Sequence, residues 1–296
     1  MVFSDYYIEL GTEVASEYIY GIGERFQESF RRKDGKWTNF NRDHWHTIDR
    51  GYGFQTYGYY PFYLLKEGTN ASHINYFRSS NAMDTIKSTE NGRHYLTWKI
   101  IGGLIDFKFY LGSDPLELIK NLHYHTGRST IPPFWSLGFH QSRWGYKDIS
   151  YLEHMVQQYE EHDLPLDTIW SDIDYLKDME VFSYNFDKFP LDRMNKLLEK
   201  HTYCLIIDAG IQMRGPVYEE GIKRDVFVRD ATGQKPFVGQ VWPGDTHFVD
   251  YFHPNASEYW GDMLSTLYDK IKFTGVWLDM NEVDNFCSGP CYPPQE

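Results

Sequence analysis

The sequence has no run of about 18 apolar residues, so no membrane-spanning helix is expected. Its first ten residues, MVFSDYYIEL, lack a basic stretch followed by an apolar core and do not read as a signal peptide. Positive charge is scarce: 29 Lys and Arg stand against 42 Asp and Glu, a formal net charge of −13. Such a balance excludes the clustered basic footprint of a nucleic-acid binder. Cysteine is scarce too. Of only three, Cys204 sits in the apolar YCLII and reads as a buried thiol. Cys287 and Cys291 flank a turn with Gly289 and Pro290, where a short disulfide fits but is not required. No set of residues makes a convincing metal site, and no Gly-rich loop follows a strand, so neither a metal nor another cofactor is expected.

What is plentiful is aromatic. Phe, Tyr and Trp make up 18% of the chain. Most must fill cores, but flat rings also suit the apolar faces of sugars. Two acceptor sequons, at Asn70 and Asn255, give modest support for a secretory route.

Two patterns divide the chain. Residues 1–127 carry apolar segments such as YYPFYLL, INYFRS, HYLTWKI and LIDFKFYL, punctuated by the turns KDGK, EGTN and ENGR. That spacing predicts part of an antiparallel β-sandwich. A helix is expected at DPLELIKNLHYHTG, with Pro115 near its start and Gly127 past its end. Residues 128–296 alternate strand and helix patterns. FWSLGFHQSRW, LDTIWSDIDY, YCLIIDAGI and GVWLDM read as strands, and a long loop carries VWPGDTHF. Helical faces are formed by Ile149, Leu152, Val156 and Tyr159, by Leu191, Met194, Leu197 and Leu198, and by Trp260, Met263, Leu264, Leu267 and Ile271. Such alternation predicts a parallel sheet.

Each predicted strand ends in polar or acidic residues: His140, Gln141 and Arg143, then Asp172 and Asp174, then Asp208, then Asp279. In a (β/α)8 barrel all C-terminal strand ends face one active-site mouth. The fold class expected is therefore α/β, the first half of a TIM barrel behind a partial β-sandwich. The residues after 130 are too few for a full barrel of about 250, so the chain reads as a fragment.

Paired carboxylates in an aromatic pocket suit glycoside hydrolysis, one attacking the anomeric carbon and the other protonating the leaving oxygen. Asp279 and Glu282 are too close in sequence to flank a bond, so Glu282 reads as support for Asp279. Asp172 and Asp174 are two apart, and strand alternation puts them on one face. Asp174 reads as making a structural bond. Trp135, Trp170 and Trp260 read as core, and His140 as either a site neighbour or a packed floor residue.

These segments carry a resemblance. GVWLDMNE resembles the nucleophile signature of glycoside hydrolase family 31, the α-glucosidase, maltase-glucoamylase and sucrase-isomaltase group. PPFWSLGFHQSRWGY, PLDTIWSDIDYLKD, IIDAGI and GQVWPGDTHFVDYF resemble further stretches of its barrel, and IYGIGER, NFNRD and SSNAMD stretches of its β-domain. The resemblance implies Asp279 as nucleophile and Asp172 as a ligand of sugar hydroxyls. It implies Ile173 and Ile211 as apolar lining, Trp144, Trp242 and Trp277 as aromatic walls, Met280 beside them, and Asp43 as an acid reaching the leaving-group side. The family's acid/base, with a substrate Arg and His, falls downstream of the nucleophile, at positions with no counterpart here. Val283 stands where many members have Pro. The implied activity is retaining hydrolysis of terminal α-1,4-linked glucose from maltose-type oligosaccharides, starch or glycogen, in a lysosomal or extracellular setting. The alternatives are an inert or sugar-binding truncated product, and an α-xylosidase of the same family.

Overall fold

The computed structural model describes residues 1–26, 29–41, 53, 55–287, 289 and 291. The chain divides into two compact units, Met1–Thr130 and Ile131–Glu296.

Among its described residues the first unit holds nine strands: β1 (Val2–Ser4), β2 (Tyr7–Val14), β3 (Ile19–Arg25), β4 (Gly35–Asn39), β5 (Gln55–Gly68), β6 (Ala71–Phe77), β7 (Met83–Glu90), β8 (Arg93–Ile100) and β9 (Phe107–Gly112). They form two sheets, ordered β1-β2-β8-β7-β4 and β3-β5-β6-β9, with every pairing antiparallel. The alternation of apolar residues explains the layering. Ile8, Leu96, Trp98 and Ile100 from one sheet share a core with Ile19, Tyr63, Leu65 and Phe77 from the other. The ENGR signal becomes a two-residue hairpin, with Asn91 and Gly92 at φ 52° and 75°, the left-handed pair that matches strand twist. Helix α1 (Pro115–Thr126) starts where the Asp114 carboxylate accepts from the Leu116 N–H at 2.9 Å. Leu118 and Leu122, one turn apart, are buried with Ile74 and Tyr110, each adding roughly 1.5–3 kcal/mol.

The second unit is built on four parallel strands: β10 (His140–Gln141), β11 (Thr168–Ser171), β12 (Thr202–Asp208) and, further along, β16 (Gly275–Asp279). Helices α2 (Ile149–Glu161) and α3 (Leu191–Leu198) follow β10 and β11. Between β12 and β16 come β13 (Gly210–Gln212), α4 (Gly215–Arg224), β14 (Gly239–Val241), β15 (Gly244–Phe248) and α5 (Ala256–Lys270). The β13-β15-β14 sheet is antiparallel.

Several expectations need correction. FWSLGFHQSRW is a strand only at His140–Gln141. Phe134–Leu137 forms a 3-10 turn because the Ser136 N–H and hydroxyl both fold back onto the Pro133 carbonyl, at 3.0 and 2.8 Å. YCLIIDAGI is two strands in two sheets, broken at Ala209. The segment with VWPGDTHF is not a long loop but the β14–β15 hairpin, turning at Trp242–Pro243. Helix α4 has no clear signal in the sequence because two glycines weaken its pattern. Gly221 is needed there: a Cβ would come within 2.3 Å of the Phe227 ring.

Candidate active site

Three carboxylates gather at the C-terminal ends of β11, β12 and β16. Asp208 and Asp279 are partners in the parallel register, the last pair of their strands. Side chains so paired project from the same face of the sheet. Asp172 follows β11 directly.

Its surroundings correct the alternation assumed for WSDID. Strand β11 ends at Ser171, and Ile173–Tyr175 is a 3-10 turn capped by Asp172, whose Oδ1 accepts from the Ile173 N–H at 2.7 Å. Asp174 turns away and accepts from the Gly145 N–H at 2.8 Å, a structural bond.

The group is electrostatically crowded. Burial raises the Asp172 carboxyl above its ordinary range, and the Asp174 and Asp279 carboxylates push the same way against the stabilising Ile173 N–H. Asp208 is only 2% exposed. Burial, then Asp279, then Asp172 push its carboxyl up to about 7. Its Oδ1 is buried without a hydrogen-bond partner. Sequence reasoning placed Asp208 at a strand end but gave it no role. Its burial comes from three-dimensional packing, which a single carboxylate in IIDAGI cannot reveal.

Below the acids lies a ladder of rings. Trp277 contacts Trp170 at 5.8 Å between centroids, Trp170 contacts His140 at 5.8 Å, and His140 stacks on Trp135 at 6.0 Å. The Trp170 indole N–H donates to His140 Nδ1 at 2.9 Å. Trp277 is thus both a neighbour of Asp279 in the chain and part of this floor. The free thiol of Cys204 is buried beside it, pushed up to about 11 by that burial.

The segment after Asp279 hangs from the β14–β15 hairpin. Phe286 N–H donates to the Gln240 carbonyl at 2.9 Å, and Gln240 N–H to Asn285 Oδ1 at 2.9 Å. Trp242 meets the Phe286 ring at 5.1 Å. Met280 takes φ 58°, and Asn281 donates to the Asp279 carbonyl at 3.1 Å while accepting from the Tyr251 hydroxyl at 3.2 Å. Glu282 occupies the turn that follows and is half-buried. Cys287 and Cys291 are joined in a disulfide.

The remaining candidates are spread. Trp144 is 67% exposed and Trp242 45%. Ile173 and Ile211 are buried in the main core of this unit. Asp43 lies outside the described residues. Asn70 is exposed in the β5–β6 turn, and Asn255 is exposed at the start of α5, its Nδ2 donating to the Arg224 carbonyl at 3.0 Å. A groove of about 880 Å³ opens in the first unit between Arg25, Trp37, Gln55 and Asp84, lined by none of the strand-end acids. Among the described residues no cluster of His, Cys, Asp and Glu is arranged to hold a metal ion, and no helix is long and apolar enough to cross a membrane.

Residues 129–296 match the glycosyl hydrolases family 31 TIM-barrel domain. The chain is 35% identical over 297 residues to the lysosomal acid alpha-glucosidase of Tetrahymena pyriformis, covering 97% of this chain and 32% of that protein. It is 35% identical over 299 residues to the lysosomal alpha-glucosidase of Mus musculus, covering 98% of this chain and 30% of the relative. A crystal structure of the glucosidase II alpha subunit superimposes with a TM-score of 0.86 at 25% identity, over 96% of this chain and 33% of that one. The chain thus spans about a third of the length of the curated relatives it matches.

Proposed function

The chain belongs to glycosyl hydrolase family 31, and from that premise we propose that it carries the nucleophile of a retaining α-glucosidase. The substrates are terminal α-1,4-linked glucose units of maltose-type oligosaccharides, starch or glycogen. The four parallel strands are the first four of a (β/α)8 barrel in a domain of residues 128–296. The antiparallel sheets of residues 1–127 are part of a β-sandwich.

The observation that carries this reading is the position of Asp279. It closes β16 over the Trp277–Trp170 floor, and its charge acts on both Asp172 and Asp208. One Asp279 oxygen attacks the anomeric carbon as the bond to the leaving oxygen breaks, giving a glycosyl ester of inverted configuration. A carboxylic acid on the opposite face supplies the proton to the leaving oxygen. Water then opens the ester from the other side with a second inversion, so the product keeps the α configuration. Asp172 binds sugar hydroxyls, Trp144, Trp242 and Trp277 wall the ring with Met280, and Ile173 and Ile211 back the lining. Glu282 supports the nucleophile loop. The acid is assigned to a part of the protein outside these residues, so this chain alone is expected to turn over a chromogenic α-glucoside little or not at all. The relatives named lysosomal, with exposed Asn70 and Asn255, support a secretory-pathway setting.

A 5-fluoro-α-D-glucosyl fluoride tests Asp279 directly, because fluoride leaves without a proton donor. One fluoroglucosyl group is expected on the peptide holding Asp279 and none on the Asp279→Asn chain, read by mass spectrometry. Labelling that persists in Asp279→Asn would refute the assignment.

A further inference from the structure

We propose that Asp208 is a positioning residue for Asp279: a buried carboxylic acid that keeps its proton while Asp279 is ionised, and so fixes and unburdens the attacking carboxylate. The inference rests on reading Asp279 as the nucleophile.

Geometry carries it. The two residues are register partners at the last step of adjacent parallel strands, facing the same way. Asp208 is almost wholly shielded from water, and its Oδ1 has no hydrogen-bond partner. A buried carboxylate in that position needs a cation or several donors, and among the described residues its Oδ1 meets neither. The charged groups that act on it are Asp279 from β16 and Asp172 from the end of β11, both acidic. Tyr175, in the 3-10 turn, also interacts with it, but the Tyr175 hydroxyl donates to the Ile206 carbonyl at 2.7 Å and is spent there. Every facing group therefore favours the neutral acid, and burial favours it most. Its ionisation near neutral pH agrees with this placement.

Two like carboxyls in one dry site do not both ionise easily, and the proton settles on the more buried one. With Asp208 neutral, its O–H can donate toward the paired carboxylate and hold it in place. Once Asp208 loses that proton to solvent, the donor is gone and a second negative charge faces Asp279. Attack by Asp279 should then weaken. No atom of Asp208 bonds to the sugar in either step. Its part is to hold a proton throughout the cycle.

The test uses the whole chain labelled with carbon-13 at the aspartate Cγ. The Asp208 resonance, assigned as the one lost in Asp208→Asn, should titrate near neutral pH, and Asp279→Asn should lower its midpoint by about a unit. In parallel, the rate of fluoroglucosyl trapping should fall as pH rises past about 7, and that fall should vanish in Asp208→Asn. If Asp208→Asn fails to fold, the Asp208 resonance is assigned instead by through-bond correlation to its own backbone amide, and the Asp279→Asn titration still decides. A midpoint in the ordinary carboxylate range, or one that ignores Asp279→Asn, overturns the proposal. A label on some residue other than Asp279 overturns the functional reading and the positioning role with it. The carbon titration tells that failure from the first, since it reports the proton whether or not a sugar is bound.

Discussion

Trp170 donates its indole N–H to Nδ1 of His140 at 2.9 Å, and this one bond sets which ring nitrogen accepts. An indole nitrogen can only donate, so Nδ1 accepts and the neutral ring keeps its hydrogen on Nε2. The ring also stacks on Trp135, with the two planes inclined by 30°. The histidine is thus a strut of the site's floor, oriented by its neighbours.

Trp170→Phe keeps most of the ring packing but removes the donor, leaving Nδ1 without a partner. A loss of about 1–3 kcal/mol is expected, measured as a lower urea midpoint at unchanged m-value. A change below about 0.3 kcal/mol would show the bond to be incidental.

Stability should depend on pH through Asp208. Its folded-state carboxyl is raised to about 7, against an unfolded value of about 3.9. Between those values the folded state binds more protons than the unfolded one. The acid's contribution is therefore fully present below about pH 4 and is lost as pH rises through about 7. Asp172, raised in the same direction, adds to the trend. Asp208→Asn should flatten the decline between pH 5 and pH 8 by an amount on the order of a few kcal/mol. Urea midpoints across that range check it, and an unchanged slope would contradict the burial of this group.

Gly275 opens β16 where no side chain fits. A Cβ there would lie 2.8 Å from the Cys204 sulfur and 2.9 Å from the Trp135 ring. Gly275→Ala is expected to cost about 1–3 kcal/mol through overpacking. Adding Cys204→Ala should recover part of that loss, because the two residues share one contact. Thermal unfolding of the single and double variants measures the coupling, and strict additivity would deny the contact.

Periodic elements are legible in the sequence, and glycine-interrupted or non-locally paired ones are not, for physical reasons. Helix α2 has Ile149, Leu152 and Val156 on one buried stripe, a pattern that no strand would give. Helix α1 carries its own start and stop signals in Asp114 and Gly127. By contrast, β13 takes only three residues from a run that looks continuous with β12, because its partner β15 lies far along the chain. Nothing local announces that switch of sheets. The site shows the same division. Asp172, Asp208 and Asp279 stood out as acids closing apolar strands. The 3-10 turn that separates Asp172 from Asp174 did not, nor did the bond to Asp174 from the Gly145 N–H, 29 positions upstream.

The bond from Asn255 Nδ2 to the Arg224 carbonyl bears on biosynthesis. That amide has two hydrogens, and the folded chain commits one of them to the neighbouring helix end. An oligosaccharyl transferase must engage the same nitrogen, so it meets a free acceptor only before α4 and α5 are drawn together. Asn70 is exposed at a hairpin turn, with no such bond among the described residues. Were both NAS triplets to meet a glycosylating enzyme, they would offer it different windows of time.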